Sequence, residues 1–189
     1  MNEIDFIKKE IEENLSERRL KHVYSVKDYI EKLSKIFSLD SKKCEIAALG
    51  HDIFREKNSK TLMEQAKKYK LNLKMYEINY PLLLHGKIAA LYLKEKYELD
   101  EEIYQAIYYH TSGCINSNDI TKALVISDSA EQTRDYKGVE ELRKISEKSL
   151  DEAYNYVMKG KITYALKNRL LILDETIEYW NKHVLEVQI

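Results

Sequence analysis

An almost wholly α-helical fold is predicted for this chain by three observations. Only 5 Gly and 1 Pro occur in 189 residues, too few for the regularly spaced turns that many short strands require. Lys, Glu, Leu, Ile and Ala are abundant in their place. Apolar residues recur at intervals of three and four along most of the chain, the period of a helix with one buried face.

Ile4, Ile7, Ile11 and Leu15 set an amphipathic helix at the start. Ser16 offers a hydroxyl as N-cap of a second helix running to about Phe37. Its apolar stripe carries Leu20, Val23, Tyr24, Ile30, Leu33 and Phe37, with His22 beside the stripe. Asp40 or Ser41 caps a third helix, whose Cys44, Ala47 and Ala48 form a close-packing face ending in Leu49-Gly50-His51-Asp52. Adjacent helical residues diverge by about 100°, so His51 and Asp52 converge on one site most easily at a helix end. Gly50 suits a bend or a close approach there. Asn58 or Ser59 starts a helix through Tyr69, and Asn79-Tyr80-Pro81 leads into another, with His85 one turn in.

The helical pattern resumes from Leu99 to Tyr109 with Asp100 as N-cap, and Gly113 stops it after His110-Thr111-Ser112. Asp119-Ile120 begins a helix that is small and apolar from Ala123 to Ala130 except for Ser127, Asp128 and Ser129, so Asp128 is out of character as a solvated surface carboxylate. Two long helices close the chain and are expected to cover the core. One faces inward with Leu142, Ile145, Leu150, Tyr154 and Val157; the other does so with Ile162, Leu166, Leu170, Leu173, Ile177 and Trp180.

Net charge is -1, with 31 basic and 32 acidic residues interspersed, so no global positive field exists to recruit nucleic acid. No apolar run approaches the ~20 residues needed to span a bilayer, which argues against a membrane partner. Met1 to Glu13 is charged and amphipathic without the apolar centre of a signal peptide, so the expected location is cytoplasmic. Cys44 and Cys114 are too far apart for a CxxC motif and read as reduced, packed thiols.

Four of the 5 histidines, His22, His51, His85 and His110, lie before residue 130 in company with Asp52 and Asp128. Neutral imidazole presents one lone pair to a divalent ion near physiological pH, and a carboxylate adds charge and can bridge two ions. Such a grouping points to a metallohydrolase. His183, near the C-terminus, carries no such expectation.

The order His, His-Asp, His, His, Asp on a helical background resembles the HD-domain phosphohydrolase superfamily. The surrounding words resemble its YqeK-type symmetrical diadenosine tetraphosphatases: Arg19-Leu20-Lys21-His22, Ala47-Ala48-Leu49-Gly50-His51-Asp52-Ile53, Leu84-His85-Gly86, Ala106-Ile107-Tyr108-Tyr109-His110-Thr111, and Asp128 with Glu131 and Arg134. An isolated His-Asp dipeptide means little; the ordered set, from about residue 18 to 155, is specific.

The resemblance implies an all-α HD-domain helical bundle with extra C-terminal helices, one domain over 1–189 whose motifs lie at about 18–135 and whose C-terminal helices lie at about 138–187. It implies two divalent metal ions, iron by expectation, with manganese or cobalt as alternatives. His22, His51, Asp52 and Asp128 would hold one, and Asp52 would bridge to a second held by His85 and His110. The implied reaction is symmetrical hydrolysis of diadenosine tetraphosphate to two ADP, by a water activated between the metals, with Asp52 and Arg134 catalytic and a homodimer as the assembly.

A polyanionic substrate needs fixed cations. Arg134, six residues after Asp128, Arg55, three after Asp52, and Arg19, three before His22, are the candidates, since guanidinium takes phosphate oxygens in pairs. Thr111 would donate to a phosphate oxygen, and Glu131 would orient an arginine or a ligand histidine. Tyr80 or Tyr109 would stack on adenine, although nothing in the sequence singles them out. Tyr108 stands where the family commonly has a basic residue, Ser129 replaces a tyrosine and Gln132 a proline, which bears on substrate preference and leaves every ligand in place. Two alternatives stay open: hydrolysis of other nucleotides or guanosine polyphosphate alarmones, and a non-catalytic metal- or nucleotide-sensing module.

Overall fold

Short polar side chains mark the points where this backbone turns into helix. In the computed structural model, which describes residues 3 to 187, Ser16 accepts from the Arg19 amide, Asp40 from Lys43, Asn58 from Thr61 and Asn118 from Thr121. Each cap satisfies a donor that the first helical turn leaves without an intrahelical partner. Of the paired alternatives, Asp40 and Asn58 act as caps, and Ser41 and Ser59 are the first helical residues.

The described residues form eleven α-helices and one 3-10 turn, with no strand. In chain order these are α1 (Glu3–Asn14), α2 (Glu17–Phe37), α3 (Ser41–Gly50), α4 (Ser59–Lys68), α5 (Met75–Asn79), the 3-10 turn Pro81–Leu84, α6 (His85–Tyr97), α7 (Glu101–Tyr109), α8 (Asp119–Ala130), α9 (Val139–Ser146), α10 (Leu150–Asn168) and α11 (Asp174–Val187). None is long and apolar enough to cross a membrane, among the described residues.

Helix α3 is the axis of the bundle, packed by α1, α2, α6, α7 and α8. Every residue from Ile46 to Gly50 is buried, and the small side chains there let neighbouring helices approach. A Cβ on Gly50 would lie 2.5 Å from Leu93 Cδ1. Leu33, Leu49, Ile88, Leu93, Ile107 and Leu124 are fully buried around this axis, each contributing on the order of 1.5–3 kcal/mol. The consequence for function is that the C-terminal end of α3, where His51 and Asp52 stand, is held rigidly inside the bundle.

The C-terminal third departs from the expected pair of long helices. Residues 139–168 are interrupted after Ser146, and Ser149 caps α10 by accepting from Glu152. Arg169 adopts a left-handed conformation (φ 54°) that ends α10, and α11 restarts at Asp174. Leu142, Leu150, Tyr154 and Val157 are buried as expected, but Leu166, Leu170 and Ile177 are 66%, 55% and 41% exposed. Ala165 and Thr176 take the buried positions. The helical period cannot be carried across a left-handed residue and a loop, so α11 restarts in a different phase and turns another face to the core.

Candidate metal centre

Five elements bring the chemistry together. His22 lies on α2, His51 caps the C-terminus of α3, His85 opens α6 directly after the 3-10 turn, His110 caps α7, and Asp128 lies in the last turn of α8. Helix ends matter here, because a ring there can reach a carbonyl three residues back. His51 Nδ1 donates to Ala48 O (2.6 Å), His85 Nδ1 to Leu82 O (2.7 Å) and His110 Nδ1 to Ile107 O (2.8 Å). A carbonyl can only accept, so each Nδ1 carries the proton and each Nε2 turns a lone pair inward. His22 is held instead by Glu131, whose Oε1 is 3.0 Å from Nδ1 and whose side chain is wholly buried.

Asp52 stands at the meeting point. Its Oδ2 is 3.5 Å from His51 Nε2 and 3.8 Å from His22 Nε2, while its Oδ1 is 3.2 Å from His85 Nε2 and 3.9 Å from His110 Nε2. Two buried triads follow, His22-His51-Asp52 and Asp52-His85-His110, each with ligand atoms within 4.8 Å of one another, and Asp52 belongs to both. Asp128 lies just outside the first triad, its Oδ1 3.1 Å from His22 Nε2.

The donor set fits divalent cations on two physical grounds. His51 Nε2 is buried with no hydrogen-bond partner, a costly state for a polar atom unless a cation takes the lone pair, and His22 Nε2 faces the carboxylates of Asp128 at 3.1 Å and Asp52 at 3.8 Å. His85 Nε2 and His110 Nε2 are 3.0 Å apart although both are acceptors. Burial pushes the His51 pKa down and lowers that of His110 to about 3, helped for His110 by the neighbouring His85 and His51. These rings stay neutral with lone pairs free. Burial alone would raise Asp52, but the surrounding imidazoles outweigh it and hold the carboxyl well below the usual carboxylate range. Asp128 is likewise lowered, with His22 and Arg134 overcoming burial. For His22, burial opposes protonation, yet the carboxylates of Asp128 and Glu131 raise its pKa.

A cavity of about 840 Å³ opens onto this centre. Arg19, Arg55, Thr111 and Arg134 all line it, beside Asp52, His85, His110 and Asp128. Arg19 Nη1 is paired with Asp52 Oδ2 at 2.9 Å, and Arg134 Nη2 with Asp128 Oδ1 at 2.7 Å, while Arg134 Nε lies 3.5 Å from Glu131. Arg55 faces the cavity without an ion pair to a described residue. The Thr111 hydroxyl lies 3.2 Å from His110 Nε2, to which it can donate. Tyr80 is on the wall and 61% exposed; Tyr109 is not on the wall and packs on Tyr108. His183 sits apart, stacked on Tyr179.

The far wall had no forewarning in the sequence. Lys161, Tyr164 and Ala165 of α10 and Arg169 to Leu173 after it complete the cavity. Lys161 Nζ donates to His110 O (3.2 Å) and Thr111 O (2.5 Å), and burial pushes its pKa down to about 8. No motif surrounds Lys161; only its contacts with the carbonyls at the end of α7 reveal it.

An all-α bundle that encloses a buried His/Asp centre beneath a cation-walled cavity defines a helical phosphohydrolase with a site for divalent metal. The chain belongs to the HD domain family, whose model matches residues 19–176. It is 30% identical over 179 residues to the protein named bis(5'-nucleosyl)-tetraphosphatase, symmetrical, of Halalkalibacterium halodurans, covering 93% of this chain and 94% of the relative. It is also 30% identical to the Bacillus subtilis protein of the same name, over 90% of this chain and 92% of that one. Among solved structures, it is similar to a predicted HD superfamily hydrolase involved in NAD metabolism from Clostridium acetobutylicum, with a TM-score of 0.90 and 30% identity, over 96% of this chain and 97% of that one.

Proposed function

We propose that this chain hydrolyses dinucleoside polyphosphates symmetrically, cleaving diadenosine tetraphosphate between its two central phosphates to give two molecules of ADP. The observation that carries the reading is the shared carboxylate: Asp52 belongs to both buried triads and opens onto a cavity walled by Arg19, Arg55 and Arg134. The tetraphosphatase names of the matched relatives supply the substrate.

In this reading His22, His51, Asp52 and Asp128 would hold one divalent ion, and Asp52, His85 and His110 would hold a second, iron being the metal we propose, with manganese or cobalt as alternatives. Ions bound there would supply positive charge against the phosphates and lower the pKa of a water toward neutrality. Arg134, fixed by Asp128 and Glu131, offers guanidinium N–H groups to the phosphoryl oxygens as charge builds on them. Arg19, Arg55 and Thr111 bind and align the rest of the chain of phosphates. Water adds at one inner phosphorus, the P–O bond to the central bridging oxygen breaks, and ADP leaves with that oxygen; the water oxygen stays on the second ADP.

Ion-exchange analysis of products tests the reading, using protein purified under reducing conditions, loaded with ferrous iron and incubated with diadenosine tetraphosphate. ADP as sole product is expected. AMP plus ATP would overturn symmetrical cleavage. Absence of turnover with two metals bound would overturn the substrate, in favour of another nucleotide or a sensing role.

A further inference from the structure

We propose that Lys161 is a substrate-binding residue, which gives a phosphoryl oxygen the one N–H that its contacts with the backbone leave over. The inference rests on the reading that a phosphate compound occupies the cavity, and adds to it a residue from a helix that carries no metal ligand.

Three observations lead there. An ammonium group has three N–H donors and no acceptor, and Lys161 Nζ spends two of them on the carbonyls of His110 and Thr111, at 3.2 and 2.5 Å. Those carbonyls flank the second triad, so the group is anchored beside the atoms where a phosphate chain would lie. Secondly, Lys161 is on the cavity wall, and no carboxylate of a described residue lies within ion-pair distance of it, unlike Arg19 with Asp52 and Arg134 with Asp128. A half-buried cation with no ion-pair partner among the described residues is a ready receptor for an anion that enters the cavity. Thirdly, Lys161 and Arg134, the cation proposed to grip the reacting phosphoryl group, line the same cavity.

A bland role competes. Lysine near the last carbonyls of α7 also favours the negative end of that helix, and a purely structural Lys161 would do nothing else. The two roles differ in what they do to ligands. An ammonium that binds phosphate must discriminate ADP from adenosine; a helix prop must not.

The experiment is calorimetric binding of inorganic pyrophosphate, ADP and adenosine to metal-loaded wild-type chain, Lys161→Gln and Lys161→Arg, with metal content and circular dichroism recorded for each. The expected result is roughly 10- to 100-fold weaker binding of pyrophosphate and ADP by Lys161→Gln, the size of a charge-assisted hydrogen bond, with adenosine unchanged. Lys161→Arg should recover part of the loss, and it carries the test if the Gln variant does not fold. If Lys161→Gln binds ADP and pyrophosphate like wild type, the proposal fails while the phosphate reading of the cavity stands. If its affinities for ADP and adenosine fall together with its metal content, Lys161 is a structural prop. If wild type itself binds neither pyrophosphate nor ADP, the reading beneath the proposal fails as well.

Discussion

The imidazoles of His85 and His110 meet Nε2 to Nε2 at 3.0 Å, while each Nδ1 donates to the carbonyl of the third residue before it. Both facing atoms are therefore acceptors, in contact beside Asp52 Oδ1. Two lone pairs at that distance repel unless a cation lies against both. His110→Ala should accordingly lower bound metal by about one ion per chain and abolish hydrolysis, with helicity retained. Elemental analysis checks it, and unchanged stoichiometry would count against the second ion.

Gly86 is the next point of sensitivity. A Cβ there would lie 2.7 Å from His110 Cε1, 2.8 Å from its Nδ1 and 3.0 Å from Ile107 O. The ring cannot retreat without losing its bond to that same carbonyl. Gly86→Ala is expected to fold, lose roughly 10-fold or more in activity, and bind its second metal more weakly. A metal titration with activity matching wild type would show that the ring accommodates the methyl group.

Glu131 orients His22 while accepting from the Thr133 amide at 2.5 Å and the Thr133 hydroxyl at 2.6 Å. Burial opposes its ionisation, but hydrogen bonds from Ser25, Thr133 and His22 hold its pKa below the usual range. Glu131→Gln should weaken the first metal by about 10- to 100-fold, the typical effect of losing a partner behind a ligand histidine. Competition with a chelator of known affinity measures the change.

Helix α11 is fastened to the bundle by Glu175, which lies 3.4 Å from Lys87 and 3.5 Å from Lys74, and by Thr176, whose hydroxyl donates to Ser112 O at 2.7 Å. Burial raises the Glu175 pKa, but a hydrogen bond from its own backbone amide together with Lys87 and Lys74 outweighs it and leaves it below the ordinary carboxylate value. The folded carboxyl thus holds fewer protons than the unfolded one, so its contribution is present above the ordinary carboxylate range and is lost as pH falls through the folded value. Glu175→Gln should cost ~1–3 kcal/mol at neutral pH and flatten the acid limb of the stability curve below about pH 4.5. Thermal unfolding across pH 3 to 8 decides; parallel curves for variant and wild type would exclude a role for the ionised carboxylate.

Cys44 is fully buried and its thiol is pushed up to about 12 by that burial. Cys114 is half-buried and is raised as well, burial outweighing its hydrogen bond with Ser117. Since the thiolate is the reactive form, a chromogenic disulfide reagent at pH 8 should titrate at most one thiol in the native chain and both in denaturant. Rapid native reaction of both would mean that α3 opens far more readily than its packing suggests.

Much of the centre was legible in the sequence because its signals are local. A cap such as Asn58 or Asp100 needs only its own side chain and the backbone amide of Thr61 or Glu102 in the first turn that follows. The His-Asp pair at the end of a small-residue helix, and a histidine just before Gly86 or after Tyr109, have their geometry set by the helix end each occupies. The exposed faces of α10 and α11 were not legible: Leu166 stands on α10 directly beside the buried Ala165, and Ile177 takes its phase from the restart of α11 after a left-handed Arg169 that is neither glycine nor asparagine.

The sequence by itself determined the all-helical class, the capped starts of α2, α3, α4, α7 and α8 and the order of the His and Asp residues, since each is written in residues a turn or two apart. Tertiary structure alone decided the distances at which Asp52 meets both triads, that His22 is the histidine Glu131 holds, across 109 residues, and that Lys161 reaches the carbonyls of His110 and Thr111. Contacts between residues so distant in the chain arise from how helices stack, and no local pattern of side chains encodes that stacking.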